Sequence, residues 1–175
     1  MEDKELIEKF LNGNRNAFEI LVKKYIKRVY WHARRMTGNH FDADEITQEV
    51  VLTLYQKLHT FKFNSELATW IFRITSNKTL NYIRKEKVRQ FLTLDTVAGH
   101  TDNDIIKKIE DKEKLEKLNK ILSKLPTKQR EVFVFRQYDN LNYEEIAKVT
   151  GKSVGALKAN YFHALKKIMD KMENE

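Results

Sequence analysis

One short stretch of the chain is rich in side-chain oxygen atoms that could take a proton or bind a metal ion. Its residues are Asp42, Asp44, Glu45, Gln48 and Glu49. Paired carboxylates could serve acid–base catalysis or hold a metal ion. In a helix, three members of this set share one face because they lie three or four residues apart. Asp42 or Asp44 is then expected to cap the helix at its positive end. Only His40 lies near in sequence and no nucleophile motif accompanies the run, so no catalytic or metal site is completed.

The acidic run also has two interpretations without catalysis. An isolated run of this kind is most simply a capped, solvated helix. The whole chain, however, carries a formal net charge of +8, which favours a polyanionic partner such as nucleic acid. An acidic patch is poorly suited to DNA and well suited to a basic protein surface. We therefore interpret the run as a protein-docking face.

A second stretch, residues 61–89, mixes aromatic, amide and cationic side chains. Aromatic rings stack on single-stranded bases while cations meet the phosphates, and a polar loop can take an extruded base. Trp70 is more readily explained as a core residue than as a stacking surface. Arg73, Asn77 and Arg84 recur at helical spacing and are expected to point outward. The candidate residues are Phe63, Asn64, Ser65, Trp70, Arg73, Asn77, Asn81 and Arg84.

Residues 125–167 have the pattern of a helix-turn-helix, which places its second helix in the DNA major groove. Apolar runs follow helical spacing and break at Gly151, which allows the positive φ of a turn. Ser153 stands where an N-cap hydroxyl would start the second helix. Leu157 and Tyr161 are expected to face the core. The candidates for contact with bases or phosphates are Arg136, Lys158, Ala159, Asn160, Phe162 and His163.

The composition favours helices as the elements that position these residues. The chain has 175 residues, one proline and five glycines, too few turn residues for a strand-rich fold, so we predict an all-α fold. It has no cysteine, which excludes disulfides and thiolate metal sites and is compatible with a reducing compartment. No secretory signal and no apolar run of about 20 residues is recognisable, so a cytoplasmic location is expected.

Apolar periodicity divides the chain into two small helical domains. Helical stripes over residues 4–89 are separated by breaks at 12–14, 37–39 and 61–65. We predict a first domain over residues 1–90, a linker that is flexible at least in part over 91–111, and a second domain over 112–175.

In this order, the three motifs resemble those of an extracytoplasmic-function (group 4) RNA polymerase sigma factor of the sigma-70 family. The acidic run is similar to the family's DAEDLxQEVF signature, with Glu45 where aspartate is usual. The stretch from Phe61 through Trp70 to Arg84 is similar to a second signature, and the segments 125–133, 143–147 and 153–155 to a third. The resemblance covers nearly the whole chain. It implies sigma domain 2 followed by sigma domain 4, with no domain 3 between them.

The resemblance implies a role for each motif. The acidic face would bind the β′ clamp helices of core RNA polymerase, and the second domain would bind the β flap. The loop 63–65 and the helix after it would recognise the −10 element and capture an unstacked base of the melted non-template strand. The second helix of the helix-turn-helix would read the −35 element as a duplex, in contacts that also include Arg136, Tyr143 and Ser153.

The implied partners are core polymerase, promoter DNA and an inhibitory anti-sigma factor, which in this family is often membrane-bound. No catalytic residue, metal, cofactor or small-molecule substrate is expected, because binding energy for the single strand drives melting. The recognition helix departs from the family pattern, since Ala156, Ala159 and Asn160 stand where threonine, serine and arginine are usual. It is less cationic than usual, so the family's GGAAC-like −35 preference is not carried over.

Two other classes of protein remain open at this point. A helix-turn-helix regulator, with residues 1–90 as a ligand-binding or dimerisation module, accounts for the C-terminal motif but not for the acidic run or the aromatic stretch. A dimer of that kind also needs two half-sites. A small helical enzyme acting on nucleic acid lacks a metal-ligand cluster, a nucleophile–base pair and a phosphate-cradling glycine loop.

Overall fold

The computed structural model describes residues 2–93 and 109–174, and every regular element in these two segments is a helix. The predicted all-α fold is confirmed. Most of the predicted linker lies outside the described residues. The elements are α1 (Asp3–Leu11), α2 (Arg15–Thr37), α3 (His40–Lys57), a 3-10 turn (Leu58–Thr60), α4 (Leu67–Thr93), α5 (Ile109–Lys124), α6 (Thr127–Gln137), α7 (Tyr143–Thr150) and α8 (Val154–Asn174).

The start of α3 differs from the sequence expectation. The Asn39 side chain accepts a hydrogen bond from the Asp42 N–H at 2.9 Å, so Asn39 is the N-cap. This bond satisfies a donor that the first helical turn leaves unpaired. The prediction that Asp42 or Asp44 caps the helix is wrong, because α3 begins at His40 and both aspartates lie inside it.

Helices α1 to α4 form an N-terminal unit around one apolar core. Its buried members include Leu21, Val29, Ile46, Val50, Leu54, Leu58, Leu67 and Ile71. Full burial of an aliphatic side chain of this size contributes about 1.5–3 kcal/mol. Since α3 gives only one stripe of residues to this core, its opposite face is left to solvent.

Helices α5 to α8 form a C-terminal unit, in which α7 and α8 are the predicted helix-turn-helix. At the start of α7 the Asn142 side chain accepts from the Glu145 N–H at 2.8 Å, and the Glu145 carboxylate accepts from the Asn142 N–H at 2.7 Å. Gly151 ends α7 with φ of 72°, which confirms the predicted positive φ. The Ser153 hydroxyl accepts from the Ala156 N–H as α8 begins.

Replacing Gly151 with alanine is expected to lower the free energy of unfolding by about 1–2 kcal/mol, because a Cβ disfavours the left-handed conformation. Gly155 is the matched control. It lies in α8 without a positive φ, and beyond its chain neighbours and the backbone of its own helix no atom stands within 4 Å of where its Cβ would be. Gly155→Ala is therefore expected to stabilise the chain by about 0.4–1 kcal/mol. Urea unfolding measures both, and equal effects would contradict the turn geometry.

The two units pack against each other through a polar and aromatic contact. The His32 imidazole of α2 hydrogen-bonds Asp139, just after α6, at 2.8 Å, and both side chains are buried. The His32 ring also stacks on Phe135, with centroids 4.5 Å apart. The Arg130 guanidinium donates to the Met36 carbonyl oxygen at 2.6 Å. The end of α2 is thereby held against α6.

Asp139→Ala is expected to open this contact, because it leaves a buried imidazole without its partner at a cost of about 1–3 kcal/mol. The chain has no cysteine, so cysteines placed at the exposed Lys23 and Lys166 can carry a donor and an acceptor dye. We expect energy transfer to fall for Asp139→Ala and to stay near wild type for Asp139→Asn, which keeps an acceptor oxygen. Unchanged transfer in both variants would show that the pair does not hold the units together.

Candidate functional site

The predicted acidic face of α3 points to solvent. Of its five predicted residues, only Asp42 is half-buried, and the other four are exposed. Helix α4 holds two of them from behind: the Tyr82 hydroxyl donates to Asp42 at 2.8 Å, and the Lys78 ammonium lies 3.2 Å from a carboxylate oxygen of Glu49. Burial raises the pKa of Tyr82, and the Asp42 carboxylate raises it further. Tyr82 is therefore a protonated donor at neutral pH.

An apolar groove of about 480 Å³ lies beside this face, between α2 and α3. Ile26, Tyr55 and Leu52, the last 57% exposed, supply apolar lining, and Asp44 and Gln48 line the same groove. Acidic and apolar surface are therefore continuous, a combination typical of protein-binding sites. The sequence interpretation missed the groove. The sequence feature that could have indicated the groove is residue spacing. Leu52 and Tyr55 follow Gln48 on the same helical face, so apolar side chains extend the acidic face of α3.

The loop 63–65 presents an aromatic ring on a strained backbone. Phe63 has φ of 56°, which is unusual for a bulky side chain, and is 48% exposed. Its ring lies edge-on to the Phe61 ring, with centroids 5.0 Å apart. The Phe61 ring in turn contacts the Trp70 ring, with centroids 5.4 Å apart. Asn64 and Ser65 are exposed. Trp70 packs against the core of the N-terminal unit, which agrees with its interpretation as a core residue.

The exposed residues Arg73, Asn77, Asn81 and Arg84 form one row along α4, at helical steps of three or four. The row begins where the two units meet. The Arg73 guanidinium donates to the Lys148 carbonyl oxygen of α7 at 2.6 Å. The neighbouring Phe72 is 2% exposed and belongs to the apolar cluster of the C-terminal unit. The first residue of the row is thus engaged by α7, whereas the other three face solvent.

Helix α8 turns Leu157 inward and its predicted DNA-facing residues outward. Leu157 is buried, while the exposed residues are Lys158, Ala159, Phe162 and His163. The Asn160 amide donates to the Ala156 carbonyl oxygen within the same helix at 3.0 Å. The outward face therefore combines an aromatic ring, a methyl group and two nitrogen-bearing side chains.

Arg136 and Tyr143 are built into the packing of the helix-turn-helix. The Arg136 guanidinium donates to the Leu141 carbonyl oxygen at 3.0 Å and lies 4.7 Å from the centre of the Tyr143 ring. The Lys158 ammonium lies 5.7 Å from the same ring centre. Arg136 and Tyr143 are both half-buried, so each offers only part of its side chain to a phosphate.

The described segments show neither a metal centre nor a membrane span. Over residues 2–93 and 109–174, no three histidine or acidic side chains gather as ligands for a metal ion. No helix in this part of the chain has the length and apolar character needed to cross a membrane. A cleft of about 280 Å³ between the two units is lined by charges of both signs, from Arg28, Glu66, Glu145 and Lys148.

Comparison with known proteins identifies the family. Residues 21–89 match the family model for sigma-70 region 2, and residues 115–168 match that for sigma-70 region 4. The chain is 30% identical over 168 residues to the ECF RNA polymerase sigma factor SigW of Bacillus subtilis (strain 168), covering 89% of this chain and 88% of the relative. The chain belongs to the ECF sigma factors of the sigma-70 family. It acts in promoter-specific transcription initiation with RNA polymerase, and its family consists of regulatory factors rather than enzymes.

A further relative agrees with this assignment, and two solved structures share the fold. The ECF RNA polymerase sigma-E factor of Escherichia coli (strain K12) is 29% identical over 184 residues, covering 99% of this sigma factor and 95% of the relative. The structure of CnrH in complex with the cytosolic domain of CnrY has a TM-score of 0.74 at 23% identity, covering 99% and 98% of the two chains. The sigma factor RpoE in complex with the anti-sigma factor NepR from Bartonella quintana has a TM-score of 0.72 at 19% identity, covering 90% and 98%. These two structures share the fold.

Proposed function

We propose that this sigma factor reads the −10 element with the loop 63–65 and α4 and the −35 element with α8, while the acidic face of α3 binds core RNA polymerase. The observation that carries the proposal is that one chain exposes three chemically different surfaces on three helices. One is acidic, one is aromatic and polar, and one belongs to a helix-turn-helix. They suit a basic protein surface, a single strand and a duplex respectively.

The polymerase-binding surface would join the acidic face to the groove between α2 and α3. Charges at a rim steer association, whereas apolar residues in a groove supply most of the binding energy. Glu45 and Gln48 would meet basic residues of the β′ clamp helices, and Leu52 would lie at the centre of the contact. The fixed positions of Asp42 and Glu49 against α4 limit the entropy lost on binding.

Melted −10 DNA would be captured at the loop 63–65. Strained residues cluster in ligand-clamping loops, and Phe63 is both strained and exposed. Its ring would stack on an unpaired base while Asn64 and Ser65 hydrogen-bond the edge of that base. The row along α4 would continue along the same strand. Binding energy for the extruded base offsets the cost of unpairing, so melting needs no chemical step.

Promoter binding would require the two units to separate. Arg73 donates to the Lys148 carbonyl oxygen and Phe72 lies in the apolar cluster of the C-terminal unit, so the C-terminal unit engages the first residue of the −10 surface. The Ser76 hydroxyl donates to the buried Glu131 carboxylate across the same contact. Packed units of this kind rearrange by rigid-body rotation. Core polymerase, bound through its β′ clamp and β flap, would hold the units apart over the promoter.

An anti-sigma factor would compete with these partners. This proposal is supported by the fold that the chain shares with the sigma factor RpoE, solved in complex with the anti-sigma factor NepR, and with CnrH, solved in complex with the cytosolic domain of CnrY. The groove between α2 and α3 has an apolar lining against which the apolar face of an amphipathic helix would pack. A partner seated there would exclude core polymerase from the same surface.

Site-specific photocross-linking tests these assignments. A photoreactive residue replaces Leu52, Phe63 or Phe162 in the full chain, and each variant is bound to core polymerase and promoter DNA. We expect a cross-link to the β′ subunit from Leu52, to the non-template −10 strand from Phe63 and to −35 DNA from Phe162. Met169, exposed further along α8, is the control that should give no DNA product. A Phe63 product with protein alone would overturn the −10 assignment.

A further inference from the structure

The outward face of α8 has a composition that bears on which bases it can read. The buried stripe of the helix includes Leu157, Ala164 and Ile168. Opposite this stripe, and exposed, lie Gly155, Ala159, Phe162, His163 and Lys166. The Phe162 ring is 63% exposed. An aromatic ring and small side chains therefore occupy the positions from which a recognition helix meets base edges.

Over residues 154–160, the first two turns of α8, the polar groups that could read guanine or adenine are absent or engaged elsewhere, whereas His163 and Lys166 lie exposed further along the helix. Residues 154–174 include no arginine, the residue that makes the commonest specific contact with guanine. The Asn160 amide donates to the Ala156 carbonyl oxygen at 3.0 Å, whereas a bidentate contact with adenine needs that amide to point outward. The Lys158 ammonium lies 5.7 Å from the Tyr143 ring, on the flank that faces α7, where a phosphate contact is its expected use.

The apolar side chains of the outward face match one feature of the major groove. Alanine and phenylalanine make apolar contacts with the 5-methyl group of thymine. Gly155 and Ala156 add no bulk at the start of the helix, so the backbone can approach the base edges closely. We infer that the −35 element of this sigma factor is rich in A·T pairs and is read largely through thymine methyl groups that contact Ala159 and Phe162. This inference rests on the proposed function, because it takes α8 as the −35 reader.

The inference predicts that affinity for the −35 element falls when the thymine methyl groups are removed. Uracil keeps every hydrogen-bonding atom of thymine and lacks only the 5-methyl group. Burying one such group contributes about 0.8 kcal/mol, which corresponds to roughly a fourfold change in affinity. Two or three contacted methyl groups would therefore change affinity by roughly 15-fold to 60-fold.

A selection with paired DNA libraries tests the inference. The full chain, bound to core polymerase, selects duplexes from a library randomised over the −35 region upstream of a fixed −10 element. We expect A·T-rich sequences, whose affinity falls by roughly fourfold for each contacted thymine replaced by uracil. Enrichment of G·C pairs, or equal affinity for thymine and uracil duplexes, would overturn the inference. Selection with no −35 preference at all would instead overturn the proposed role of α8.

Two variants separate base reading from added charge. Ala159→Arg places a guanidinium on the outward face and is expected to enrich guanine at one position and to weaken the response to uracil. Met169→Arg adds the same charge at an exposed position further along α8 and is expected to leave the selected sequences unchanged. A guanine preference in both variants, or in neither, would contradict a direct contact of residue 159 with the bases.

Discussion

Reversing the charges of Asp44 and Glu45 together, to lysine, is expected to weaken binding to core polymerase by about 100-fold or more. Like charges brought together at an interface cost several kcal/mol, and each 1.4 kcal/mol is a factor of ten. Both side chains are exposed, so the fold tolerates the change. Glu49 is a poorer choice, because its pairing with Lys78 at 3.2 Å would be lost as well. Fluorescence anisotropy of the labelled chain, titrated with core polymerase, measures the affinity.

The matched control reverses two acidic residues far from the acidic face. Asp170→Lys with Glu173→Lys makes the same change in net charge at exposed positions of α8. It is expected to bind core polymerase as the wild-type chain does, with unchanged circular dichroism. Wild-type affinity in both double variants would show that α3 is not the polymerase-binding surface. Equal loss in both would show that net charge, rather than the acidic face, controls binding.

Phe63→Ala combined with Asn64→Ala is expected to lower transcription from a duplex promoter by roughly 10-fold to 100-fold, with core binding unchanged. Stacking on an aromatic ring is worth about 1–3 kcal/mol per base, and the loop would lose both its ring and its amide. A promoter already unpaired over the −10 region removes the melting cost, so much of the activity should return on that template. Single-round transcription on the two templates measures the effect.

Lys62 supplies the control for this loop. Lys62→Ala removes a neighbouring exposed cation without touching the aromatic ring or the amide. It is expected to reduce transcription only slightly and to do so equally on both templates, since exposed charges contribute little and without base selectivity. A double variant that is as active as wild type on duplex DNA would exclude the loop from base capture.

Local features of the fold follow from the sequence because their causes are local. A glycine is needed at the turn that ends the short helix α7. Gly151 adopts φ of 72° there, because it has no Cβ to disfavour the left-handed conformation. The cap of α3 was misassigned because asparagine and aspartate cap equally well, and Asn39, Asp42 and Asp44 are all candidates. Only the position at which the helix begins decides among them, and that depends on packing.

The contact between the two units could not be predicted from periodicity. His32 and Asp139 are separated by 107 positions, and nothing in either segment marks them as partners. Phe72 illustrates the same limit: it lies on α4 of the N-terminal unit, but its side chain belongs to the apolar cluster of the C-terminal unit. The groove beside the acidic face depends likewise on how α2 lies against α3, so its apolar lining residues gain meaning only once the helices are packed.

Run-off transcription tests the central claim most directly. Purified chain and core polymerase from a compatible bacterium are incubated with fragmented genomic DNA, and transcripts are mapped. We predict promoter-specific transcripts that need both components and whose start sites follow shared −35 and −10 sequences. DNA binding by the chain alone, with no transcript in the presence of an active core polymerase, would contradict the account and favour a helix-turn-helix regulator.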